Sequence, residues 1–322
     1  MILVTGGCGF IGSHFIDYLI NNTSHVVVNV DALTYASNGE IAKMKHPRYE
    51  FINASINDSE TMQEILAQHQ PKYIVNFAAE SHVTKSIEDP EDTIETNIMG
   101  TYALLKSIAK YGMPVRLHHV SSDEVYGSLQ EDDQSFTESS PYNPSTPYAA
   151  SKAAADHLVM AWAKTYGLDV TISSSANNYG IRQHPEKLIP FVITSAIKGQ
   201  DITMHGSGTQ TRDWIHASDH ASAIYTILKH GKSGEKYNIG ANNEISNLDV
   251  ATAICMQLDA VAPKDRGTYA DQITFINDRP ANDKRYSTNN SKMLQLGWSP
   301  KIKFEEEIYN MVLWYVRAEA VG

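Results

Sequence analysis

Short apolar runs rich in β-branched residues alternate with amphipathic stretches through the first half of this 322-residue chain. Strands that are buried on both faces of a parallel sheet are continuously apolar, and helices connect them. We therefore predict an α/β fold built on a doubly wound parallel sheet. The predicted strands are Ile2–Thr5, Val26–Val30, Tyr49–Ile52, Tyr73–Phe77, Val115–Val120 and Val170–Ser173. The predicted helices between them are Ile11–Ile20, Ser59–Gln68, Pro90–Lys110 and Tyr148–Lys164.

The alternation becomes irregular after about residue 175, where loops rich in Gly, Pro and Asn appear. We predict that residues 1–175 form the sheet domain and that residues 176–322 form a smaller lobe, partly interleaved with it. Helical patterns in this lobe cover Leu188–Lys198, Ala217–Lys229, Leu248–Leu258 and Glu305–Arg317.

The charge balance and the cysteine content exclude several kinds of partner. With 26 basic and 37 acidic residues, the net charge of the chain is −11, which argues against nucleic acid as a binding partner. The two cysteines, Cys8 and Cys255, form neither a disulfide framework nor a zinc motif, and we expect no metal. No apolar run approaches the ~20 residues of a membrane helix. The expectation is a cytoplasmic protein without a membrane partner.

A glycine-rich turn follows the first strand and opens the first helix. Gly6, Gly9 and Gly12 allow a tight turn, a close approach to a pyrophosphate, and close packing of helix on strand. Asp31 ends the second strand nineteen residues after Gly12, where an adenosine ribose would lie. An acid there accepts hydrogen bonds from both ribose hydroxyls and repels a 2′-phosphate. The sequence therefore predicts a Rossmann-type domain that binds NAD rather than NADP.

Tyr148 and Lys152 lie one helical turn apart on the same predicted face. A phenol has a pKa of about 10, and the positive charge of Lys152 with that of an oxidised nicotinamide lowers it. Tyr148 could then remove the proton from a sugar hydroxyl during oxidation, and Ser122 could hold the same oxygen.

Asp123 and Glu124 directly follow Ser122 at the predicted end of the fifth strand. Ligands of doubly wound sheets bind at the carboxyl ends of the strands. A simple alcohol dehydrogenase or epimerase needs no further acid and base, whereas a dehydratase needs both. The pair therefore favours dehydration.

The chain resembles the dTDP-glucose 4,6-dehydratases of the extended short-chain dehydrogenase/reductase superfamily over nearly its whole length. The resemblance rests on these segments: 6–14, Asp31–Ala36, Ala78–Val83, Asp123–Gly127, Asn177–Gly180, Glu186–Pro190, Thr211–Trp214, Tyr237–Gly240 and Asp278–Pro280. It implies that Tyr148 deprotonates the 4-hydroxyl of glucose while NAD accepts the C4 hydride. Glu124 then removes the C5 proton, Asp123 protonates the departing C6 hydroxyl, and the hydride returns to C6.

The same resemblance implies further contacts. Besides the glycines, Asp31, Tyr148 and Lys152, the implied cofactor contacts are Phe10, Ile11, Ile56, Ala78, Ala79 and Asn97. The implied substrate contacts are Ser81, His82, Asn177, Asn178, Glu186, Lys187, Arg212, Asn247, Arg279 and Asn282. Among them Arg212, Arg279, Asn178 and Lys187 would hold the nucleotide and its diphosphate.

The chain departs from the family pattern at several positions. Ser122 replaces the usual Thr, and Ser55 stands where an acid often contacts adenine, with Asp58 a candidate to contribute indirectly. Asn282 also occurs in relatives that use UDP-glucose, so UDP-glucose stays an alternative to dTDP-glucose.

Two other interpretations stay open. A nucleotide-sugar 4-epimerase or a uronate decarboxylase of the same superfamily would use the same Tyr and Lys. A protein without activity could bind NAD or a nucleotide sugar for regulation. Family membership also implies a homodimer, in which the helices near 90–110 and 148–164 would form a four-helix bundle.

Overall fold

The computed structural model describes residues 1–319 and contains three sheets. Its strands are β1 (Ile2–Thr5), β2 (Val27–Asp31), β3 (Tyr49–Asn53), β4 (Tyr73–Asn76), β5 (Arg116–Ser122), β6 (Asp169–Ser175), β7 (Asn177–Tyr179), β8 (Ile202–His205), β9 (Thr211–His216), β10 (Glu235–Ile239), β11 (Glu244–Ser246) and β12 (Ile273–Ile276). Seven of them form a parallel sheet in the order β10-β6-β5-β4-β1-β2-β3. The predicted α/β fold with a doubly wound parallel sheet is confirmed.

Twelve α-helices are found in the described residues. They are α1 (Phe10–Asn22), α2 (Gly39–Ala42), α3 (Ser59–His69), α4 (Val83–Glu88), α5 (Glu91–Ile94), α6 (Thr101–Tyr111), α7 (Pro147–Tyr166), α8 (Leu188–Ile197), α9 (Ala217–His230), α10 (Asn247–Val261), α11 (Ser291–Gln295) and α12 (Phe304–Glu319). A π-helical turn covers Glu95–Gly100, and 3₁₀ turns cover Asp123–Tyr126 and Tyr269–Gln272.

Both faces of the large sheet are covered, which explains its continuously apolar strands. One face packs against α1 and α9, and the other against α3, α6 and α7. In β1, for example, Ile2 and Val4 face the first layer and Leu3 faces the second, and none of them is exposed. Each such burial stabilises the fold by ~1.5–3 kcal/mol.

The predicted helix Pro90–Lys110 is interrupted in the structure. Asp89 has an extended conformation before Pro90, because a residue that precedes proline is disfavoured in the helical region. From Glu91 the chain is helical, but α5 and α6 are joined by the π-helical turn. This turn holds Asn97 so that its amide donates to the Glu80 carbonyl at 2.9 Å.

The second half of the chain contributes both to the large sheet and to the core of the predicted smaller lobe. The helix α9 and the strand β10 return to the large sheet, where β10 pairs with β6. A separate core in the smaller lobe includes Ile193, Ile254 and Met311. The predicted division at residue 175 stays a prediction, and residues 320–322 of the predicted lobe lie outside the described residues.

Between residues 1 and 319, no helix combines the length and the apolar character that crossing a bilayer requires.

Candidate active site

A cavity of about 490 Å³ opens at the carboxyl ends of β1, β2, β4, β5 and β6. Its size is typical of a site for a small ligand, and its position is where doubly wound sheets bind ligands. Most of the predicted site residues line it: Gly6, Gly9, Phe10, Ile11, Gly12, Asp31, Ile56, Ala78, Ala79, Ser81, His82, Ser122, Asp123, Glu124, Tyr148, Lys152, Asn177, Asn178, Glu186, Lys187, Arg212 and Arg279.

The glycine turn forms one wall of this cavity. Gly6 has φ +70°, and a Cβ there would lie 2.5 Å from the backbone nitrogen of Ala78. A Cβ on Gly12 would lie 2.4 Å from the Gly6 carbonyl oxygen. Helix α1 starts after Gly9 without a side-chain cap, so its first N–H groups are free to bind phosphate oxygens. This wall fits the pyrophosphate of a dinucleotide.

Asp31 holds the glycine turn in place as well as lining the cavity. Its Oδ2 accepts a hydrogen bond from the Cys8 N–H at 2.8 Å. Its Oδ1 accepts from the Leu33 N–H at 2.8 Å and from the Ser37 hydroxyl at 3.0 Å. A carboxylate has about four acceptor positions, so about one is left for a ribose hydroxyl. The expectation that Asp31 accepts from both ribose hydroxyls stays a prediction.

The adenine end of the predicted cofactor site has no carboxylate from residues 54–58. Ala54, Ser55 and Ile56 line the cavity, and Ser55 accepts a hydrogen bond from the Asn57 N–H. Asp58 instead caps α3 and accepts hydrogen bonds from Glu60 and Thr61. The suggested indirect contribution of Asp58 to adenine binding stays a prediction.

Tyr148 and Lys152 lie in the first turns of α7, which begins after the capping residue Thr146. Lys152 is only 4% exposed, and its ammonium donates to the Val120 carbonyl at 2.6 Å. Burial lowers the pKa of Lys152 to about 8.

The lowering of the Tyr148 pKa by Lys152 together with an oxidised nicotinamide stays a prediction. Burial and the negative charge of Glu124 raise the pKa of the Tyr148 phenol, and the Ser122 hydroxyl only partly offsets this. The ammonium of Lys152 is held near the end of β5 by its hydrogen bond to Val120.

Asp123 and Glu124 lie in the 3₁₀ turn that follows β5, and Ser122 caps this turn. The Ser122 hydroxyl accepts from the Glu124 N–H at 3.2 Å and donates to Asp123 Oδ1 at 3.4 Å. Asp123 is 2% exposed, and its Oδ2 has no hydrogen-bond partner within residues 1–319. Burial and the charge of Glu124 hold the pKa of Asp123 well above its ordinary value. Burial also raises the pKa of Glu124, against the opposing charges of Arg212, Arg279 and Lys187.

Arg212 is the most buried of these three cations, at 5% exposure. Its guanidinium donates to the Thr211 carbonyl at 2.8 Å and to the Asp283 carbonyl at 2.9 Å, and it stacks on the Tyr286 ring at 4.3 Å. Backbone carbonyls and a ring thus fix the guanidinium without neutralising it, which suits it to an anionic ligand.

Glu186 connects several groups at the mouth of the cavity. Its carboxylate lies 3.2 Å from His82 Nε2, 3.3 Å from His184 Nδ1 and 3.5 Å from Lys187 Nζ. Lys187 also donates to the Ser81 carbonyl at 2.9 Å. These contacts join the loop after β4 to the loop before α8.

Asn97, Asn247 and Asn282 do not line the cavity. The Asn97 amide bonds both backbone groups of Glu80 and the Ser151 hydroxyl. Asn247 begins α10, and its N–H donates to the Gln210 carbonyl. The Asn282 amide donates to Asp278 and its oxygen accepts from Arg279, so its contact with the cavity is indirect.

Sequence reasoning missed other lining residues, among them Gln183, His184 and Tyr286. Gln183 and His184 lie between the segments Asn177–Gly180 and Glu186–Pro190, which were recognised, so their position in the sequence could have indicated that they line the cavity. Tyr286 has no local signal, because only the folding of residues 278–288 against β9 brings it to Arg212.

The cavity combines a dinucleotide turn, a Tyr–Lys pair and a buried Asp–Glu pair. This combination defines a nucleotide-sugar enzyme with acid–base chemistry. Comparisons with known proteins identify the family of the enzyme. The sequence model of the GDP-mannose 4,6 dehydratase family matches residues 3–311, and the chain belongs to this family. The dTDP-glucose 4,6-dehydratase of Shigella flexneri is 48% identical, over 98% of this chain and 92% of that protein.

Solved structures agree with this assignment. The dTDP-glucose 4,6-dehydratase of Streptomyces venezuelae, solved with NAD bound, is 39% identical with a TM-score of 0.90, over 98% of this chain and 97% of that one. The enzyme of Bacillus anthracis in complex with NAD is 39% identical with a TM-score of 0.89, over 99% and 97%. The resemblance predicted from the sequence is confirmed.

Proposed function

We propose that this protein is an NAD-dependent hydro-lyase that converts dTDP-glucose to the nucleotide-linked 4-keto-6-deoxyglucose and water. The observation that carries the proposal is the buried Asp123–Glu124 pair beside Tyr148 in a cavity with a dinucleotide turn. The dTDP-glucose 4,6-dehydratases that are 45–48% identical over 98% of the chain support both the reaction and the substrate.

NAD, when bound, accepts the hydride from C4 of the sugar and returns it to C6. We assign its pyrophosphate to the turn around Gly9 and the start of α1, and its adenosine ribose to Asp31. The contacts with Phe10, Ile11, Ile56, Ala78 and Ala79 remain part of this proposal because they line the same cavity.

Tyr148 is the base for the 4-hydroxyl of the sugar. Its high pKa in this structure means that the phenolate needs nearby positive charge when it forms, and Lys152 is the cation one helical turn away. Ser122 can donate to the same sugar oxygen because its hydroxyl lies at the end of β5, in the cavity wall.

Glu124 removes the C5 proton, which becomes acidic once C4 is a ketone, and Asp123 protonates the departing C6 hydroxyl. The surroundings favour these roles. Asp123 is buried and has a raised pKa, so it can carry a proton at neutral pH, as an acid must. Arg212, Arg279 and Lys187 favour the ionised form of Glu124, as a base requires.

The cations that surround Glu124 also provide the diphosphate site. Arg212 is buried with its charge uncompensated by a hydrogen-bonded carboxylate among the described residues, and Lys187 and Arg279 lie in the same cavity wall. We assign Ser81, His82, Asn177, Asn178 and Glu186 to the sugar and nucleotide because they line this part of the cavity.

The decisive experiment is turnover of dTDP-glucose and UDP-glucose side by side. The alkali-induced absorbance of the 4-keto sugar and the loss of one water by mass would identify the product, and the ratio of rates would identify the nucleotide. Epimerised product without water loss would favour a 4-epimerase. Bound NAD whose absorbance does not respond to either sugar would favour a regulatory binding protein.

A homodimer in the cytoplasm completes the proposal. Ile94, Met99, Tyr102 and Tyr166 lie on or beside α5, α6 and α7 and are 36–59% exposed, so these helices have an apolar outer face. Burial against a second copy would remove this face from water. A monomer in sedimentation at micromolar concentration would contradict the dimer.

A further inference from the structure

Asp156 is a buried carboxylate that the proposed mechanism does not use. It lies one helical turn after Lys152 on α7 and is 1% exposed. Its Oδ2 accepts a hydrogen bond from the Ser121 hydroxyl at 2.8 Å and another from the Tyr142 hydroxyl at 2.6 Å. Burial of a carboxylate at this depth is costly, so its partners indicate what it does.

His119 faces the other oxygen of Asp156 without a hydrogen bond to it. The Thr5 hydroxyl lies 2.6 Å from Asn76 Oδ1, a separation typical of an O–H donor. The Asn76 amide nitrogen must therefore face His119 Nδ1, at 3.1 Å. Because Nδ1 accepts this hydrogen bond, the proton of the neutral imidazole is on Nε2, which lies 3.6 Å from Asp156 Oδ1.

The surroundings of Asp156 favour its ionised form. The Ser121 and Tyr142 hydroxyls both donate to Oδ2, whereas Oδ1 has no hydrogen-bond partner within residues 1–319 and faces the Nε2–H of His119 at 3.6 Å. A proton on Oδ1 would place its O–H against the N–H of His119. Burial raises the pKa of Asp156 above its ordinary value, while the hydrogen bonds on Oδ2 and the charge of Lys152 oppose that rise and favour the carboxylate.

Lys152 needs such an opposite charge. Its ammonium is 4% exposed and makes one hydrogen bond within the described residues, to the Val120 carbonyl. Burial lowers the pKa of Lys152, and the charge of Asp156 opposes this effect.

Asp156 also joins the two elements that carry the acid–base groups. Tyr148 and Lys152 are on α7, whereas Asp123 and Glu124 follow β5. The hydrogen bond from Ser121 attaches β5 to α7 at the residue before Ser122.

We propose that Asp156 is a positioning residue that keeps Lys152 protonated and fixes α7 against the end of β5. The inference rests on the proposed dehydratase function and adds a residue to it. Without the carboxylate charge, Lys152 loses its proton at a lower pH, and the Tyr148 phenolate loses its counter-charge.

Other ionisable groups also face Asp156. Tyr126 and Tyr148 lie near it, and burial raises the pKa of both phenols. Burial holds the pKa of His119 well below its ordinary value, so it stays neutral. Lys236 lies 4.5 Å from the Tyr142 ring, and its pKa is lowered by burial and raised by Asp156 and Glu138. Lys236 is therefore the group that a test must separate from Lys152.

The test is the pH profile of kcat/KM for dTDP-glucose in D156N, with D156E as the conservative variant. In D156N we expect the alkaline limb to move to lower pH by about one unit, since a neighbouring charge shifts a pKa by that order. D156E should restore the limb toward the wild-type position. K236Q should leave the limb in place, because Lys236 does not line the cavity.

D219N is the matched control. Asp219 is also a buried carboxylate, at 5% exposure, and it accepts hydrogen bonds from the N–H groups of Lys301 and Ile302, away from α7. We expect D219N to lower the melting temperature without moving the limb. A D156N profile that is lowered equally at every pH, with its limb unmoved, would overturn the proposal.

Two further measurements keep the outcome decisive. If D156N does not fold, Y142F removes a hydrogen bond that favours the ionised Asp156, and the limb should move in the same direction by less. An unmoved limb in Y142F would then overturn the proposal.

The second measurement does not depend on turnover. Alkaline titration of the NAD-bound protein, with the Y148F signal subtracted, follows formation of the Tyr148 phenolate by absorbance. In D156N, loss of the Asp156 charge by itself lowers the pKa of Tyr148, whereas loss of the Lys152 proton raises it. We expect the second effect to be larger, so that the pKa of Tyr148 rises relative to wild type. If wild type releases no water from either sugar but this shift is present, the proposed function fails and the role of Asp156 stands. If water is released but no shift is found, the role of Asp156 fails alone.

Discussion

Asp123 and Glu124 are consecutive in the sequence, but their carboxyl groups lie in different electrostatic surroundings. Asp123 is buried against Glu124 and Asp213, whose negative charges add to its desolvation. Burial also raises the pKa of Glu124, but the charges of Arg212, Arg279 and Lys187 oppose that rise and favour its ionised form. Two carboxyl groups with opposed surroundings are suited to serve as acid and base in one reaction.

Replacing these residues should separate the steps of the reaction. In E124Q we expect oxidation at C4 to continue while water loss falls by ~10²–10⁴-fold, since the base is missing. Reduced cofactor would then accumulate without product, and its absorbance would show this. In D123N, exchange of the C5 proton with deuterated solvent should continue while water loss falls similarly. Normal water loss in both variants would contradict the assignment of the pair.

Tyr148 should be needed for oxidation itself. We expect Y148F to lower kcat by ~10²–10⁴-fold with little change in KM, because the phenol acts on the reacting hydroxyl. Stopped-flow absorbance of the bound cofactor would measure the oxidation step. The control is Y309F, since Tyr309 is 43% exposed on α12 and lies outside the cavity. Equal rates in Y148F and Y309F would remove Tyr148 from the mechanism.

The close packing of the glycine turn predicts a large difference between two Gly-to-Ala variants. In G12A the new Cβ would lie 2.4 Å from the Gly6 carbonyl oxygen, so the turn must move. We expect loss of NAD retained through gel filtration, together with a lower melting temperature. G39A is the control, because nothing lies within 4 Å of its Cβ position and Gly39 has no positive φ. NAD retention in G12A equal to that in G39A would show that this turn does not hold the cofactor.

Arg212 should act mainly through substrate binding. R212K keeps the charge near Glu124 but loses the fork that can bind two phosphate oxygens. A hydrogen bond to a charged group contributes ~1.5–3 kcal/mol, so we expect KM for dTDP-glucose to rise ~10–100-fold with a smaller change in kcat. Steady-state kinetics would show this split. R285K is the control, because Arg285 pairs with Glu244 outside the cavity. A rise in KM of similar size in R285K would mean that the effect is not local.

Buried histidines predict a loss of stability in acid. His118 bonds Thr171 and Ser173 within the sheet, and burial lowers its pKa to about 3. In the unfolded chain its pKa is about 6.5, so protonation favours unfolding. The stabilisation from neutral His118 is complete above pH ~6.5 and is lost as the pH falls toward 3.

The variant H118Q should show this dependence directly. We expect the difference in free energy of unfolding between wild type and H118Q to become smaller by ~1.4 kcal/mol per pH unit below pH 6. Urea unfolding at several pH values would measure it. The exposed His230 at the end of α9 provides the control H230Q, which should keep the wild-type slope. A constant difference for H118Q between pH 6.5 and 4 would contradict the neutral state of His118.

The sequence by itself determined the sheet, and it predicted the glycine turn and the candidate acid–base residues. Strands buried on both faces must be apolar throughout, so β1, β4 and β5 were predicted to within about two residues. The positions of Gly6, Gly9, Tyr148 and Lys152 follow from local geometry, which a single segment encodes. The strands, the glycine turn and the Tyr–Lys spacing depend on residues that are close in the chain, so hydrophobic periodicity and residue spacing can predict them.

Tertiary structure decided which charges meet. The spacing of residues does not show that Asp31 accepts hydrogen bonds from Cys8, Leu33 and Ser37. It also does not show that the Lys152 ammonium donates to the Val120 carbonyl. Asp156 is an ordinary helical residue in the sequence, and only the packing of α7 on β5 brings it to Ser121 and His119. Burial and electrostatic pairing depend on residues that are distant in the chain, so the pKa shifts that separate acid from base appear only in the folded molecule.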